Sequence, residues 1–148
     1  GTNLIFTNAP IAGDTVYVVG LSTTADLTRT INFVVDSGST QMSSGIKGEM
    51  TLDVTGEIQS WTVIGDQDGQ IQFDIKKVDF ANFPNFSSIC GTERPQLGDI
   101  NTGVQARKNT NTTISTWNKT LNAGDIMQFE VVYAINIQRC VVSMKLAL

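Results

Sequence analysis

Asp66-x-Asp68-Gly69 places two carboxylates two residues apart ahead of a glycine, which is how loops begin that surround calcium with hard oxygen ligands. The later ligand-bearing positions and the distant Glu of such a loop are missing here. Asp68-Gly69 is also the dipeptide favoured in a tight hairpin turn, where Gly supplies positive φ without a Cβ clash. The turn reading needs no ion and is the simpler one. Asp74, Asp79 and Asp99 offer, with Asp66, a carboxylate pair of the glycosidase type. That chemistry depends on the separation of the two carboxyl groups, which sequence spacing does not set, and solvated strand faces and turns account for the same residues. Histidine is absent, which removes Ser-His-Asp and Cys-His mechanisms and the usual catalytic zinc sites. Neither a phosphate-cradling Gly loop nor a metal-ligand spacing occurs, so the expectation is a protein without enzymatic activity and without a cofactor.

Aromatic residues open a different route. A sugar-binding surface uses exposed rings against the apolar faces of pyranoses and amides or carboxylates for the hydroxyls. Phe80, Asn82, Phe83 and Asn85 interleave these types within one irregular stretch, with Phe86 following, and they are the candidate ligand-binding residues. Rings in loops also serve as anchors onto a core, and both roles stay open for them. Trp61 and Trp117 fall on predicted strands as core or sheet-edge residues. Arg94, Arg107 and Lys108 are either ligand-orienting cations or ordinary surface charges.

These residues must be positioned by β-structure. Gln59 to Ile75 carries the clearest pattern, with Ile71, Phe73 and Ile75 on one side and Gln70, Gln72 and Asp74 on the other. A period of two is what a half-buried strand requires, so two strands joined by an Asp68-Gly69 hairpin are predicted, with one wet face. The same alternation marks Ile31, Phe33 and Val35; Met50, Leu52 and Val54; Met127, Phe129, Val131 and Tyr133; and Cys140, Val142, Met144, Leu146 and Leu148. A further strand is predicted at Thr112–Trp117. Between Asp79 and Asn111 no period is sustained, and long irregular stretches in compact domains are often functional. Many short strands separated by turn signals point to an all-β fold, a jelly-roll-like antiparallel β-sandwich. Pro95 to Arg107 has room for one turn of helix.

The polar run Ser22–Thr28 is the best linker, dividing a short N-terminal β segment (1–28) from a sandwich domain (29–148). Gly1 is expected to lie inside a longer polypeptide. At 148 residues with a net charge of −4, the chain has no clustered Lys and Arg, so nucleic acid is not an expected partner. No apolar run reaches the length of a membrane span and no signal-peptide pattern opens the chain; a soluble domain without membrane insertion is expected. The two cysteines, Cys90 and Cys140, read as a loop or half-buried thiol and a small buried hydrophobe, which suits synthesis in a reducing compartment.

Ser60-Trp61-Thr62-Val63-Ile64-Gly65-Asp66-Gln67-Asp68-Gly69-Gln70-Ile71-Gln72-Phe73-Asp74-Ile75-Lys76, Ala81-Asn82-Phe83-Pro84, Glu93-Arg94-Pro95-Gln96-Leu97, Trp117 and Ala123-Gly124-Asp125-Ile126 together resemble a C-terminal domain of tailed-phage fibres and related virion proteins. Thr30-Ile31-Asn32-Phe33-Val34-Val35-Asp36-Ser37-Gly38 and Ser44-Gly45-Ile46-Lys47-Gly48 resemble the opening of that domain. Ile5 to Val18 is similar to the end of a β-rich module of podovirus-type fibres. The chain departs from the pattern at Lys76, where an aromatic is common, and at Asn85, where a second proline is common. The resemblance implies a virion structural protein assembled in the host cytoplasm, a homotrimer with other virion proteins as partners, and a distal receptor-binding domain that contacts a host surface glycan. Two other readings fit the same β-domain: a capsid decoration or head-fibre protein, and the carbohydrate-binding module of a bacterial enzyme.

Overall fold

The computed structural model describes residues 27–148. The predicted N-terminal β segment therefore lies almost wholly outside the described residues. Nine strands follow in order: β1 (Thr28–Asp36), β2 (Gly45–Thr51), β3 (Gly56–Val78), β4 (Ser87–Ser88), β5 (Gln96–Leu97), β6 (Ala106–Asn111), β7 (Thr120–Leu121), β8 (Ile126–Ile135) and β9 (Arg139–Ala147). One 3-10 turn at Phe80–Asn82 is the sole helical piece among the described residues, and none lies within Pro95–Arg107. All ladders are antiparallel, in the order β1-β9-β3-β8-β2 with β4, β5, β6 and β7 also on β3. The all-β antiparallel architecture read from the alternating pattern is the observed one, a sheet curled over itself as a half-barrel in the manner of a sandwich.

The predicted Asp68-Gly69 hairpin does not form. Gly56–Val78 is one continuous 23-residue strand, and Gly69 is not among the glycines with positive φ. Straight, such a strand would run roughly 75 Å, about twice the roughly 35 Å expected across a compact domain of this size. It therefore bends and serves two sheet halves. Glu57 to Gly65 pair with β9, whereas Gln70 to Val78 pair with β8. The ladder to β6 is interrupted between Ile64 and Gly69. Asp66 to Gly69 thus form a corner at which one strand passes from one half of the sheet to the other, the device by which sandwiches turn. Asp and Gly are as suited to a sharp bend as to a hairpin, and local sequence does not distinguish the two.

What fixes the corner is the connection between β8 and β9. Gln138 N–H donates to Asp66 Oδ1 at 3.3 Å, and Gln67 Nε2 donates to the Asn136 carbonyl. Burial works against the Asp66 charge, but backbone N–H groups of Arg139 and Gln138 hold its pKa below the ordinary aspartate value. Ile137 is fully buried beneath the bend. A Cβ on Gly69 would lie 2.5 Å from the Ile135 carbonyl oxygen and 2.7 Å from Ile137 Cδ1, so Gly69 is needed for close approach and not for a left-handed turn.

The two halves meet through apolar side chains of the alternating runs. Phe33 on β1 stacks on Phe129 of β8, ring centroids 4.0 Å apart and planes 4° from parallel. Gly48 on β2 leaves room for it, since a Cβ there would reach 3.2 Å from Phe33 Cζ. Val63, Ile71, Phe73, Ile75, Met127, Val131, Val142, Met144 and Leu146 are fully buried in the same core.

Two further expectations are corrected. Thr112–Trp117 is a loop and not a strand; its two apolar residues, Ile114 and Trp117, are nonetheless buried, plugging the core as single side chains. The polar face of the second half of β3 is largely covered and not open to solvent, because Gln70 and Asp74 are buried and Gln72 and Lys76 half-buried. The chain after Val78 folds back over them: Gln70 Nε2 donates to the carbonyls of Asp99 and Val104, and Asp74 accepts from Ser88 Oγ at 2.5 Å.

A corner and a hairpin respond differently to substitution. Gly69→Ala forces a methyl group against the Ile135 carbonyl and Ile137 and is expected to lower unfolding stability by about 2–4 kcal/mol. Asp68→Ala, at an exposed position, is expected to change it by less than about 0.5 kcal/mol. Chemical denaturation of both variants measures this, and comparable losses in the two would restore the hairpin.

Candidate functional site

The four residues singled out for ligand contact flank the 3-10 turn that ends β3. Asp79 caps the turn, its carboxylate accepting from Asn82 N–H at 2.8 Å and from Asn82 Nδ2 at 2.9 and 2.8 Å. These bonds, the Asn82 side chain's first, hold the Asp79 pKa below its ordinary value. Asn85 N–H then donates to the Asn82 carbonyl at 2.9 Å, and the Phe83-Pro84 peptide is cis.

Asn82 and Asn85 line one cleft, of about 440 Å³, together with Ser87, Asn118, Asn122 and Asp125. Phe80 and Phe83 line another, of about 640 Å³, against Met50 and Ile126. The turn therefore brings amides to one site and rings to a neighbouring one. Phe80 is 80% exposed and Phe83 48% exposed, so neither ring is an anchor into the core, although Phe83 meets Phe86 edge to face at 5.8 Å.

The amide-lined cleft contains residues that no local pattern announced. Asn118, Asn122 and Asp125 come from the connection between Trp117 and β8. Lys77 ties that connection to β3, its Nζ donating to the Thr120 carbonyl at 2.6 Å and lying 3.3 Å from Asp125 Oδ2. Asp125 also accepts from Asn122 N–H at 2.9 Å. Only the antiparallel passage of β8 along the second half of β3, with Val78 opposite Ile126, brings these segments together. The turn signal Asn122-Ala123-Gly124-Asp125 was the available hint.

The remaining carboxylates are engaged in local hydrogen bonds. Asp66 holds the corner, Asp79 caps the turn, and Asp99 accepts from Asn101 N–H at 2.9 Å, an interaction that lowers its pKa. Asp66 and Asp79 lie at opposite ends of the second half of β3, roughly 40 Å apart along an extended strand. Asp74 lies beneath Ser88 and Arg94, whose Nη2 is 3.5 Å from Asp74 Oδ2. Among the described residues no three acidic or thiol side chains gather as a metal site, and Asp66 and Asp68 do not converge on a calcium loop. Arg107 and Lys108 are exposed on β6.

A lock between two loops frames this surface. Glu93 accepts from Thr116 N–H at 2.7 Å, Thr116 Oγ1 at 2.8 Å and Ser115 Oγ at 3.2 Å. Trp117 Nε1 donates to the Glu93 carbonyl at 2.9 Å, and Asn118 N–H donates to the Ile89 carbonyl at 2.9 Å. Cys90 is more deeply buried than its loop position suggested; its sulfur accepts from Ile75 N–H at 3.3 Å.

No protein-family model matches the sequence, and no curated protein matches it.

Two measurements check this geometry. Burial pushes both Cys90 and Cys140 up to about 12, so both thiols stay protonated at neutral pH. Neither is expected to react with a water-soluble disulfide reagent until the domain unfolds; stoichiometric labelling under native conditions would contradict this. Hydrogen bonds from Thr116, the backbone one first, depress the Glu93 pKa below its ordinary 4.5. The lock's contribution is then complete above the ordinary value and lost as pH falls through the depressed one. Thr116 amide protection should hold at neutral pH and fall only once the pH drops below the ordinary glutamate value, as measured by hydrogen exchange corrected for the intrinsic rate.

Proposed function

We propose that this chain is a virion structural protein whose sandwich forms the distal receptor-binding domain of a phage tail fibre and contacts a host surface glycan. The observation that carries the reading is the rigid turn Asp79–Asn85, which displays exposed Phe80 and Phe83 beside an amide-rich cleft. Rings cover the apolar faces of pyranoses, while Asn82, Asn85, Asn118 and Asn122 exchange hydrogen bonds with their hydroxyls. The resemblance of the β3 and Ala81–Pro84 segments to fibre domains supports the same reading. In a homotrimer, three copies of a weak site raise avidity by roughly 100-fold or more through effective concentration, so each site can remain shallow.

A capsid decoration or head-fibre protein is the second reading, favoured by the apolar groove of Met50, Phe80, Phe83 and Ile126, which suits another virion chain as well as a sugar. Antibody labelling of intact particles separates the two: signal at fibre tips is expected, and signal on the head would sink the tail assignment.

Because Phe80 and Asn85 are exposed, Phe80→Ala and Asn85→Ala should leave stability within about 0.5 kcal/mol of the parent. Each is expected to reduce competition by the soluble domain for phage adsorption at least several-fold. Undiminished competition by both variants would remove this surface from the receptor site.

A further inference from the structure

A separate cleft, of about 300 Å³, opens between β3, β6 and Thr92–Gln96, lined by Trp61, Arg94, Gln96, Asn109 and Asn111 among others. It shares no lining residue with the Asn82 and Asn85 cleft. Two of its lining residues carry a buried donor, Trp61 Nε1 and Arg94 Nε, that has no hydrogen-bond acceptor among the described residues. Trp61 is only 3% exposed. Buried donors in native folds are almost always paired, and this fold pairs its other indole, Trp117, with the Glu93 carbonyl. Two unpaired donors on one cleft mark a place shaped for an acceptor from outside the chain.

The neighbouring groups select the chemistry of that acceptor. The Glu93 carboxylate is taken by Thr116 and Ser115, and Asp74 lies against Arg94 Nη2 at 3.5 Å. One guanidinium beside two carboxylates leaves no positive excess, so an anionic ligand gains nothing here. The amides offer both polarities. Gln72 Nε2 occupies Gln96 Oε1, and Asn109 Nδ2 donates to the Gln96 carbonyl, which leaves Gln96 Nε2 as a donor and Asn109 Oδ1 as an acceptor. A ligand with several neutral oxygens, each able to accept and some able to donate, matches this set. Arg94 is the more accessible of the two donor residues: its side chain is 38% exposed and meets Asp74 at a long 3.5 Å.

We infer that this cleft is a saccharide subsite for a neutral hexose or N-acetylhexosamine, whose ring or carbonyl oxygen accepts from Trp61 Nε1 and Arg94 Nε. The inference stands on its own donors and does not require the tail-fibre reading.

The test is a titration of the ¹⁵N-labelled chain, whose two indole N–H resonances are assigned by Trp61→Phe. Glucose, galactose and N-acetylglucosamine are added separately at millimolar concentration, with glucuronate and N-acetylneuraminate as anionic counterparts. The Trp61 resonance should move saturably with at least one neutral sugar while that of Trp117 stays in place. Trp61→Phe, with Trp117 unshifted as the sign of an intact fold, should weaken binding followed at the Gln96 and Asn109 side-chain amides about 5- to 10-fold. Asn85→Ala should leave the titration unchanged, which separates this subsite from the amide-lined cleft. The inference is overturned if the Trp61 resonance moves with no neutral sugar, as it would with a structural water only. It is equally overturned if glucuronate binds as well as the neutral sugars, or if Trp61→Phe binds as tightly as the parent.

Discussion

The bend in β3 is the constraint on which the domain depends. Its first half lies between β9 and the β6 and β7 strands, and its second between β8 and the β4 and β5 strands. Shifting the strand by one residue would turn Val63, Ile71, Phe73 and Ile75 out of the core on both halves at once. Register on one side is thereby register on the other. The corner works because Gly69 lets the Ile135 carbonyl approach where any side chain would collide, and because Asp66 satisfies the backbone of the β8–β9 connection.

The site inherits its precision from that strand. Val78 ends the ladder opposite Ile126, and the capped 3-10 turn begins directly afterwards. Phe80 and Asn85 are thus carried on a short rigid lever, not on a long free loop. On the other edge of β3, the excursion after the turn is stitched down by β4, β5, Gln70 and Asp74. The buried acid and its arginine therefore belong to the scaffold, although the segment containing Arg94 also forms a wall of the second cleft.

Fold class was legible because alternation is a local property and survives whatever the partners are. Strand existence followed from Ile31-Phe33-Val35, from Met127-Phe129-Val131 and from Cys140-Val142-Met144-Leu146. The corner was not legible, since Gly65-Asp66-Gln67-Asp68-Gly69 has the composition of a turn and the close approach of Ile135 and Ile137 comes from some 70 residues further on. Thr112–Trp117 misled for the reverse reason: Ile114 and Trp117 are buried, but as plugs three residues apart and not as one face of a strand. Phe80, Asn82, Phe83 and Asn85 were singled out by type and spacing alone. Their division between two clefts was not legible, because it depends on a turn whose cap is a single Asp79–Asn82 contact. The contributions of Asn118, Asn122, Trp61 and Arg94 required the ladders to be known.

β1 pairs with β9 along its whole length, from Thr28 opposite Ala147 to Asp36 opposite Arg139. During synthesis β1 therefore has no ladder partner until β9 has left the ribosome. Non-local pairings of this kind are slow to form. For that interval Ile31, Phe33 and Val35 stand on an open strand of the nascent chain, and the apolar side of β1 waits for β9 before it can be covered.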